Sequence, residues 1–322
     1  MTRFLPKTAP WVAPVLVGVL VLLFAATQDS FYRLQLGTLS GIYAIAAIGL
    51  TLLFGAAGQI SLGQAGLLGI AAFSTAYLTV DHGMGPVPAG IVAVAASTLV
   101  GLVLGWCALR ITGHYLALVT LAFGLVFTEL TRTVLPEGWY GVPPLAIGSL
   151  DLGDPQVFFV VVWAAVVLVL VGSSLLVRSR FGRSIAALRD DPVAASACGV
   201  DLARTKVAVF GIASALAGVS GWLFALYQGS VTETSFSFTL SFNLLIMVVI
   251  GGLGSPGGAV VGAVFLVLAP ELGRRYEEYR LLSYGVILLL VLALLPGGLA
   301  SIGRLVARPL RRRRDTPVEE PA

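Results

Sequence analysis

Long apolar blocks broken by short polar stretches set the rhythm of this chain. The blocks lie at 11–27, 36–54, 61–80, 87–109, 114–130, 156–177, 206–227 and 282–300. Each comes near the roughly 20 residues a helix needs to cross a hydrocarbon core of about 30 Å. A further apolar stretch, 238–270, is interrupted by GGLGSPGG at Gly251–Gly258. An arm of about 13 helical residues reaches only about 20 Å, so this stretch predicts two short helices meeting at a Gly/Pro turn. Counting the arms separately gives about ten transmembrane or half-spanning helices.

A transmembrane barrel would alternate apolar and polar residues in segments of about ten. Runs such as Val157–Val171 do not alternate, and the pattern predicts an all-α polytopic membrane protein. Composition agrees: 57% of the 322 residues are hydrophobic and 11% are charged, against about 25% charged in ordinary soluble domains. In lipid the backbone must satisfy its own hydrogen bonds, and helices do so within one segment.

The net charge of +4 is concentrated at Arg178–Arg189 and Arg304–Arg314, at the ends of apolar runs. That placement follows the rule that basic loops stay in the cytoplasm; no soluble basic face is evident, so no nucleic-acid partner is expected. Arg3 and Lys7 ahead of the 11–27 run resemble a signal peptide. The run is long, however, and no small-x-small site precedes Gln28, so an uncleaved first span is expected. With the amino terminus inside, six crossings bring residues 178–206 back inside, and ten bring Arg311–Arg314 inside. The loop 131–155, with Glu137, Asp151 and Asp154 against Arg132, falls outside. Both termini are thus expected in the cytoplasm of a bacterial-type plasma membrane. The loop 271–280 departs from the rule, because Glu271, Glu277 and Glu278 only partly balance Arg274, Arg275 and Arg280 on the outer side; a re-entrant 238–270 would change the count. No linker divides the apolar region. One transmembrane domain over 1–309 is expected, followed by a charged, disordered tail at 310–322.

Two segments echo each other. LFGAAGQISLGQAGLLGIAAF (53–73) and IGGLGSPGGAVVGAVF (250–265) both place a glycine-rich break before a small-residue helix. Transporters are often built from two such halves, with broken helices at the binding site. The alternative is that small residues merely let helices pack closely. The expected breaks are Gly58 and Gly63 in the first segment, and Gly251, Gly252, Gly254, Pro256 and Gly257 in the second.

Enzymatic signatures are missing. A phosphate-binding loop needs glycines followed by Lys-Ser/Thr, and the lysines are Lys7 and Lys206, neither after a glycine. His82 and His114 lack ligand-spaced partners, and Cys107 and Cys198 form no metal or disulfide pattern. Neither cofactor nor metal is expected, and the chain is not expected to be an enzyme.

The polar stretch between the 156–177 and 206–227 blocks carries Arg178, Arg180, Arg183, Arg189, Arg204 and Lys206 against Asp190, Asp191 and Asp201. Asp191 suits an N-cap, Pro192 suits the first helical position, and Gly199 suits a left-handed stop. The predicted helix is under two turns long and marginal alone, since nucleation is costly. Local physics leaves two readings open: a docking element that needs a partner surface, or a cytoplasmic loop whose arginines set orientation.

The segment FGRSIAALRDDPVAASACGVDLARTK resembles the cytoplasmic EAA-type loop of ABC importer permeases, and most of all the branched-chain amino-acid permease family of LivH/LivM type. LLFGAAGQISLGQAGLLGIAAF, GHYLALVTLAFG and SFSFTLSFNLLIMVVIGGLGSPGGAVVGA resemble that family's early, middle and late segments, in order, over most of 36–300. Order and length resemble the LivM half more than LivH. The resemblance implies that Asp190–Gly199 is a coupling helix, with Asp190, Asp191, Pro192, Ala194, Ala195 and Gly199 docking in a groove of an ATPase subunit. It also implies two such ATPases, a homologous second permease, an external solute-binding protein and a small-molecule solute. Two departures touch the solute. Where the family often has an acid after the FG of the middle segment this chain has Leu125, with Glu129 the nearest acid, and the outer segment reads EGWYGVPP (Glu137–Pro144).

Polar residues within membrane spans invite a functional reading. Gln59, Ser61 and Gln64 flank the first break, with Ser61 and Gln64 at a spacing that shares a helix face; Thr120 and Asn243 lie within spans. They could bind a zwitterionic or amide solute, or serve only helix–helix bonding. Glu129 and Arg132 read either as a surface ion pair or as part of a docking site for the binding protein. The expected function is passage of a branched-chain or other hydrophobic amino acid through an ABC importer. The alternatives are an ABC permease for urea or short amides, an ion-coupled secondary transporter, which the lack of acids within the spans disfavours, and a structural membrane subunit.

Overall fold

The computed structural model describes residues 31–109, 114–134, 138–147, 150–151, 153–272 and 285. The expected span at 11–27, that at 282–300 except residue 285, residues 273–280 of the expected loop 271–280 and the tail 310–322 lie outside them. Among the described residues, six helices are long and apolar enough to cross a membrane.

Helix α1 (Phe31–Leu50) continues through a π-helical turn, Thr51–Ala56, and then unwinds. α2 (Gln64–Ala76) follows, with a second π turn at Tyr77–Asp81. α3 (Pro86–Cys107) and α4 (His114–Val134) come next, then α5 (Pro155–Arg178), whose N-cap Asp154 accepts a bond from the Gln156 amide. The polar stretch forms α6 (Arg180–Asp190) and α7 (Pro192–Ala197). α8 (Leu202–Gln228) ends on Gly229, and α9 (Phe238–Gly251) and α10 (Pro256–Leu272) form the hairpin expected at the glycine-rich interruption. The predicted blocks that fall on described residues thus form helices, and the third, 61–80, begins at Gln64 rather than at residue 61.

The end of the bundle opposite α6 and α7 carries two short antiparallel pairs that the apolar pattern does not show. Strand β1 (Trp139–Tyr140) pairs with β4 (Ser230–Val231), and β2 (Ala146–Ile147) with β3 (Leu150–Asp151). Trp139 donates its indole N–H to Asp81 at 3.1 Å and stands edge-on to Phe73 and Tyr77. This links the loop after α4 to the end of α2.

α1 is the buried centre, with Ile42, Ala44 to Ile48 and Leu50 all enclosed. It packs against α5, α8, α9 and α10. A second seam joins α2, α3 and α8. A Cβ on Gly221 would lie 2.0 Å from the Leu68 carbonyl oxygen, one on Gly101 1.8 Å from the Ser214 hydroxyl, and one on Gly218 3.1 Å from Val94 Cα. Without a hydrophobic force between helices in lipid, such close approach through small residues supplies the packing. Hydroxyls fasten the seam: Ser97 donates to the carbonyls of Leu67 at 2.9 Å and Ser214 at 3.1 Å, and Ser220 to that of Ile42 at 2.8 Å.

Gly221→Ala therefore places a methyl against main chain that has no rotamer to yield. Overpacking of this kind costs about 1–3 kcal/mol. The variant is expected to unfold several degrees lower in a detergent thermal melt. Gly172→Ala, where nothing lies within 4 Å of the added carbon, should melt like the unsubstituted protein.

Candidate functional site: two glycine-rich breaks and a short capped helix

The first break begins where the π turn ends. The amides of Ala57, Gly58 and Gln59 bond back to the carbonyls of Leu52, Phe54 and Leu53. Gln59 thereby skips the Gly55 carbonyl, its ordinary helical partner. Gly58 takes a positive φ of 69° and the chain runs non-helically to Gly63, the N-cap of α2. Gly63 contributes no capping side chain, so other helices satisfy amides at this helix entry, as a buried helix end requires. The Leu62 amide donates to Thr120 Oγ1 on α4 at 2.9 Å, and the Ala65 amide to Ser241 Oγ on α9 at 3.0 Å.

This arrangement revises the reading of two residues. Ser61 precedes α2 rather than sharing a helix face with Gln64, because Thr120 holds the chain in its unwound form at Leu62. Thr120 donates within its own helix, to the carbonyls of Leu116 and Ala117 at 3.1 Å, while its oxygen accepts from the break. Ser241, two residues before Asn243, was not singled out in the sequence. Its signal is a small hydroxyl on a largely apolar arm, the same signal that marks Thr120. Asn243 itself is half-buried on α9.

Gln59, Ser61 and Gln64 are 7%, 1% and 0% exposed. Gln64 donates its amide to the Ala213 carbonyl at 3.1 Å, which fixes its Oε1 as an acceptor. That oxygen, Gln59 Oε1 and Ser61 Oγ are buried without a hydrogen-bond partner. Buried polar atoms are ordinarily paired, and leaving one unpaired costs about 1–3 kcal/mol. Beside this entry a narrow groove is lined by Leu62, Gly66, Gly124, Leu125, Phe238 and Ser241. Leu125, which stands where the resembled family often has an acid, makes this wall apolar.

The second break lies at the hairpin tip. Gly252 and Gly254 take φ of 107° and 82°. Pro256 opens α10, and Ser255 Oγ accepts from the Gly258 amide at 3.2 Å. Gly257 sits in that first turn. The arms touch through main chain: a Cβ on Gly251 would lie 2.1 Å from the Gly258 carbonyl oxygen, and one on Gly262 1.9 Å from that of Met247. The two breaks also meet. A Cβ on Gly55 would lie 2.3 Å from the Gly254 nitrogen and 2.7 Å from its Cα.

At the same end of the bundle, α6 turns Ile185 and Leu188 inward. Ile185 joins Leu53, Ala57, Leu116 and Phe210 in an apolar cluster that binds the helix to the first break. Asp190 closes α6, and Asp191 caps α7, its Oδ1 accepting from the amides of Val193 at 2.9 Å and Ala194 at 3.1 Å. Pro192 is the first helical residue. Gly199 follows the helix with φ 81°; the Val200 amide bonds back to the Ala195 carbonyl at 3.1 Å. Ala195 is only 4% exposed and faces the chain itself, so it does not lie on an open docking surface with Ala194. Val193, 78% exposed, stands out instead. Arg189, expected only as a topological charge, donates from Nη1 to the Gly55 carbonyl.

Glu129 and Arg132 approach to 4.0 Å with both side chains about 70% exposed, a geometry worth little in water.

Comparison with known proteins places this arrangement. The family profile for the permease component of branched-chain amino acid transport systems matches residues 32–295. The chain is 34% identical to the high-affinity branched-chain amino acid transport system permease protein LivM of Escherichia coli (strain K12), over 90% of this chain and 75% of that protein. It is 34% identical to LivM of Salmonella typhimurium, over 84% of this chain and 70% of that protein. It is 27% identical to LivH of Escherichia coli (strain K12), over 81% of this chain and 92% of that protein. The profile covers both breaks, the capped helix and most of the chain, and the protein belongs to the branched-chain amino acid transport system permease family.

Proposed function

We propose that this chain is the LivM-like permease subunit of an ATP-driven importer for a branched-chain or other hydrophobic amino acid. It pairs with a homologous permease, two ATPase subunits that hydrolyse ATP, and an external solute-binding protein. Both termini and α7 lie on the cytoplasmic side. Family membership and the names of the relatives support the class of transporter and of solute. The observation that carries the solute path is the set of three buried, unpartnered oxygens at the first break.

Two of these oxygens are amide carbonyls, acceptors only, and the third belongs to a hydroxyl. Acceptors suit the ammonium group of an amino acid, and the apolar groove with Leu125 suits an aliphatic side chain. The chain supplies hydrogen bonds and room, and catalyses no reaction; the chemical step belongs to the ATPases.

Proteoliposomes holding the full complex and the binding protein are expected to accumulate radiolabelled leucine only with ATP inside the compartment that contains the ATPases. Uptake of urea in preference to leucine would replace the solute. Uptake by the chain alone from an ion gradient would overturn the transporter class.

Ser61→Ala tests the path. Ser61 Oγ makes no bond within the protein, so its removal should leave the melting temperature unchanged or slightly raised. A lost solute bond of about 1 kcal/mol should nonetheless cut leucine uptake roughly fivefold. Unchanged uptake would remove Ser61 from the path.

A further inference from the structure

The Gly55 carbonyl is an orphan of the helix end it belongs to. The amide four residues on, that of Gln59, bonds to Leu53 instead. Arg189 takes the vacancy: its Nη1 donates to that carbonyl across 134 residues of sequence. Its stem crosses Gly58, where a Cβ would lie 3.2 Å from Arg189 Cγ. A cation here also suits the negative end of the α1 dipole. On the other side of Gly55 lies the Gly254 main chain. Two residues beyond Arg189, Asp191 caps α7.

We propose that Arg189 is the positioning residue that transmits ATPase-driven movement of α6 and α7 to both glycine-rich breaks, by holding the carbonyl of Gly55, whose Cα face lies against the Gly254 main chain. The inference rests on the proposed importer function for its source of movement. α6 and α7 meet at Asp191, so a pull on α7 passes to the end of α6, where Arg189 sits. The guanidinium carries the displacement to Gly55, and Gly55, having no side chain, passes it to the hairpin tip through main chain. The three-residue contact joins elements that are remote in sequence, and it includes a hydrogen bond between the polar stretch and the first break.

The test uses the full complex with Cys107 and Cys198 replaced by serine and a single cysteine at Leu253, an exposed position on the hairpin turn. Maleimide labelling of Leu253→Cys is measured with ADP and with ATP plus vanadate. Labelling is expected to depend on nucleotide. In Arg189→Met, which keeps the stem over Gly58 and loses the donor, the ATPase should still co-purify and hydrolyse ATP. Labelling should then lose its nucleotide dependence, and leucine uptake should fall about tenfold, the order expected for a charge-assisted bond. Arg189→Lys should restore part of both. Nucleotide-dependent labelling that persists in Arg189→Met, or that is lacking in the unsubstituted complex, would overturn the proposal. So would loss of ATPase association in Arg189→Met, which would make the residue a brace. A complex that labels as expected yet takes up no leucine would refute the solute and leave this inference standing.

Discussion

Gly55→Ala is expected to abolish solute uptake while the protein still reaches the membrane. The added methyl would lie 2.3 Å from the Gly254 nitrogen, where ordinary contact begins near 3.4 Å, so the two breaks must part by about 1 Å. Neither side can give way by changing rotamer, since the opposing atoms belong to main chain. The cost, about 1–3 kcal/mol by analogy with overpacked cores, falls on a contact that lies between the charged stretch and the hairpin. Gly254→Ala provides the complementary case. Its added carbon would meet the Gly55 carbonyl at an ordinary 3.6 Å, but φ is 82°, a region that costs a residue with a Cβ roughly 1–2 kcal/mol. Both should lose uptake, one through contact and one through backbone strain. Radiolabelled leucine uptake and a thermal melt, taken together, check this; full uptake in Gly55→Ala would show that the meeting of the breaks plays no part in transport.

The second large effect is expected in the polar stretch. Gly199→Val and Asp191→Ala should each detach the ATPase and leave membrane insertion intact. The reasons differ. Nothing lies within 4 Å of a side chain at Gly199, but its φ of 81° opposes a β-branched residue. Loss of the Asp191 carboxylate frees the amides of Val193 and Ala194, at about 1 kcal/mol for a cap. In a long helix either change would only fray an end. Here the helix has six residues and its nucleus is costly, so the same energy removes the element. Co-purification of the ATPase with each variant is the measurement. Retention in both would mean that the ATPase grips another part of the chain.

Much of the fold could be read from the sequence because lipid imposes a simple rule. A segment that must satisfy its backbone internally and face hydrocarbon declares itself by length and composition, and α1, α3, α5 and α8 fall where the apolar blocks predict. The Asp191 cap and the Gly199 stop were equally readable, since each depends on one residue and its neighbours in sequence. What failed to show depends on distant partners. The start of α2 moved to Gln64 because Thr120 and Ser241, on other helices, occupy the amides at its entry. Ala195 turned inward because the face of so short a helix is chosen by what it packs against. Arg189 was masked by its own plausibility: an arginine beside a membrane span already has a reason to be there. The strands at the end opposite α6 and α7 rest on single pairings of two residues each, too short for any alternation to register.

The glycine seam of α2, α3 and α8 bears on where motion can occur. Helices that mesh through long side chains can slip by letting those side chains change rotamer. At Gly221 and Gly218 the contacts are carbonyl oxygen and Cα atoms, and Ser97 pins its helix to both neighbours. These three helices must travel as a single body. Opening and closing at the entry to α2 then falls, among the described helices that bond to it there, to α4 and the α9–α10 hairpin.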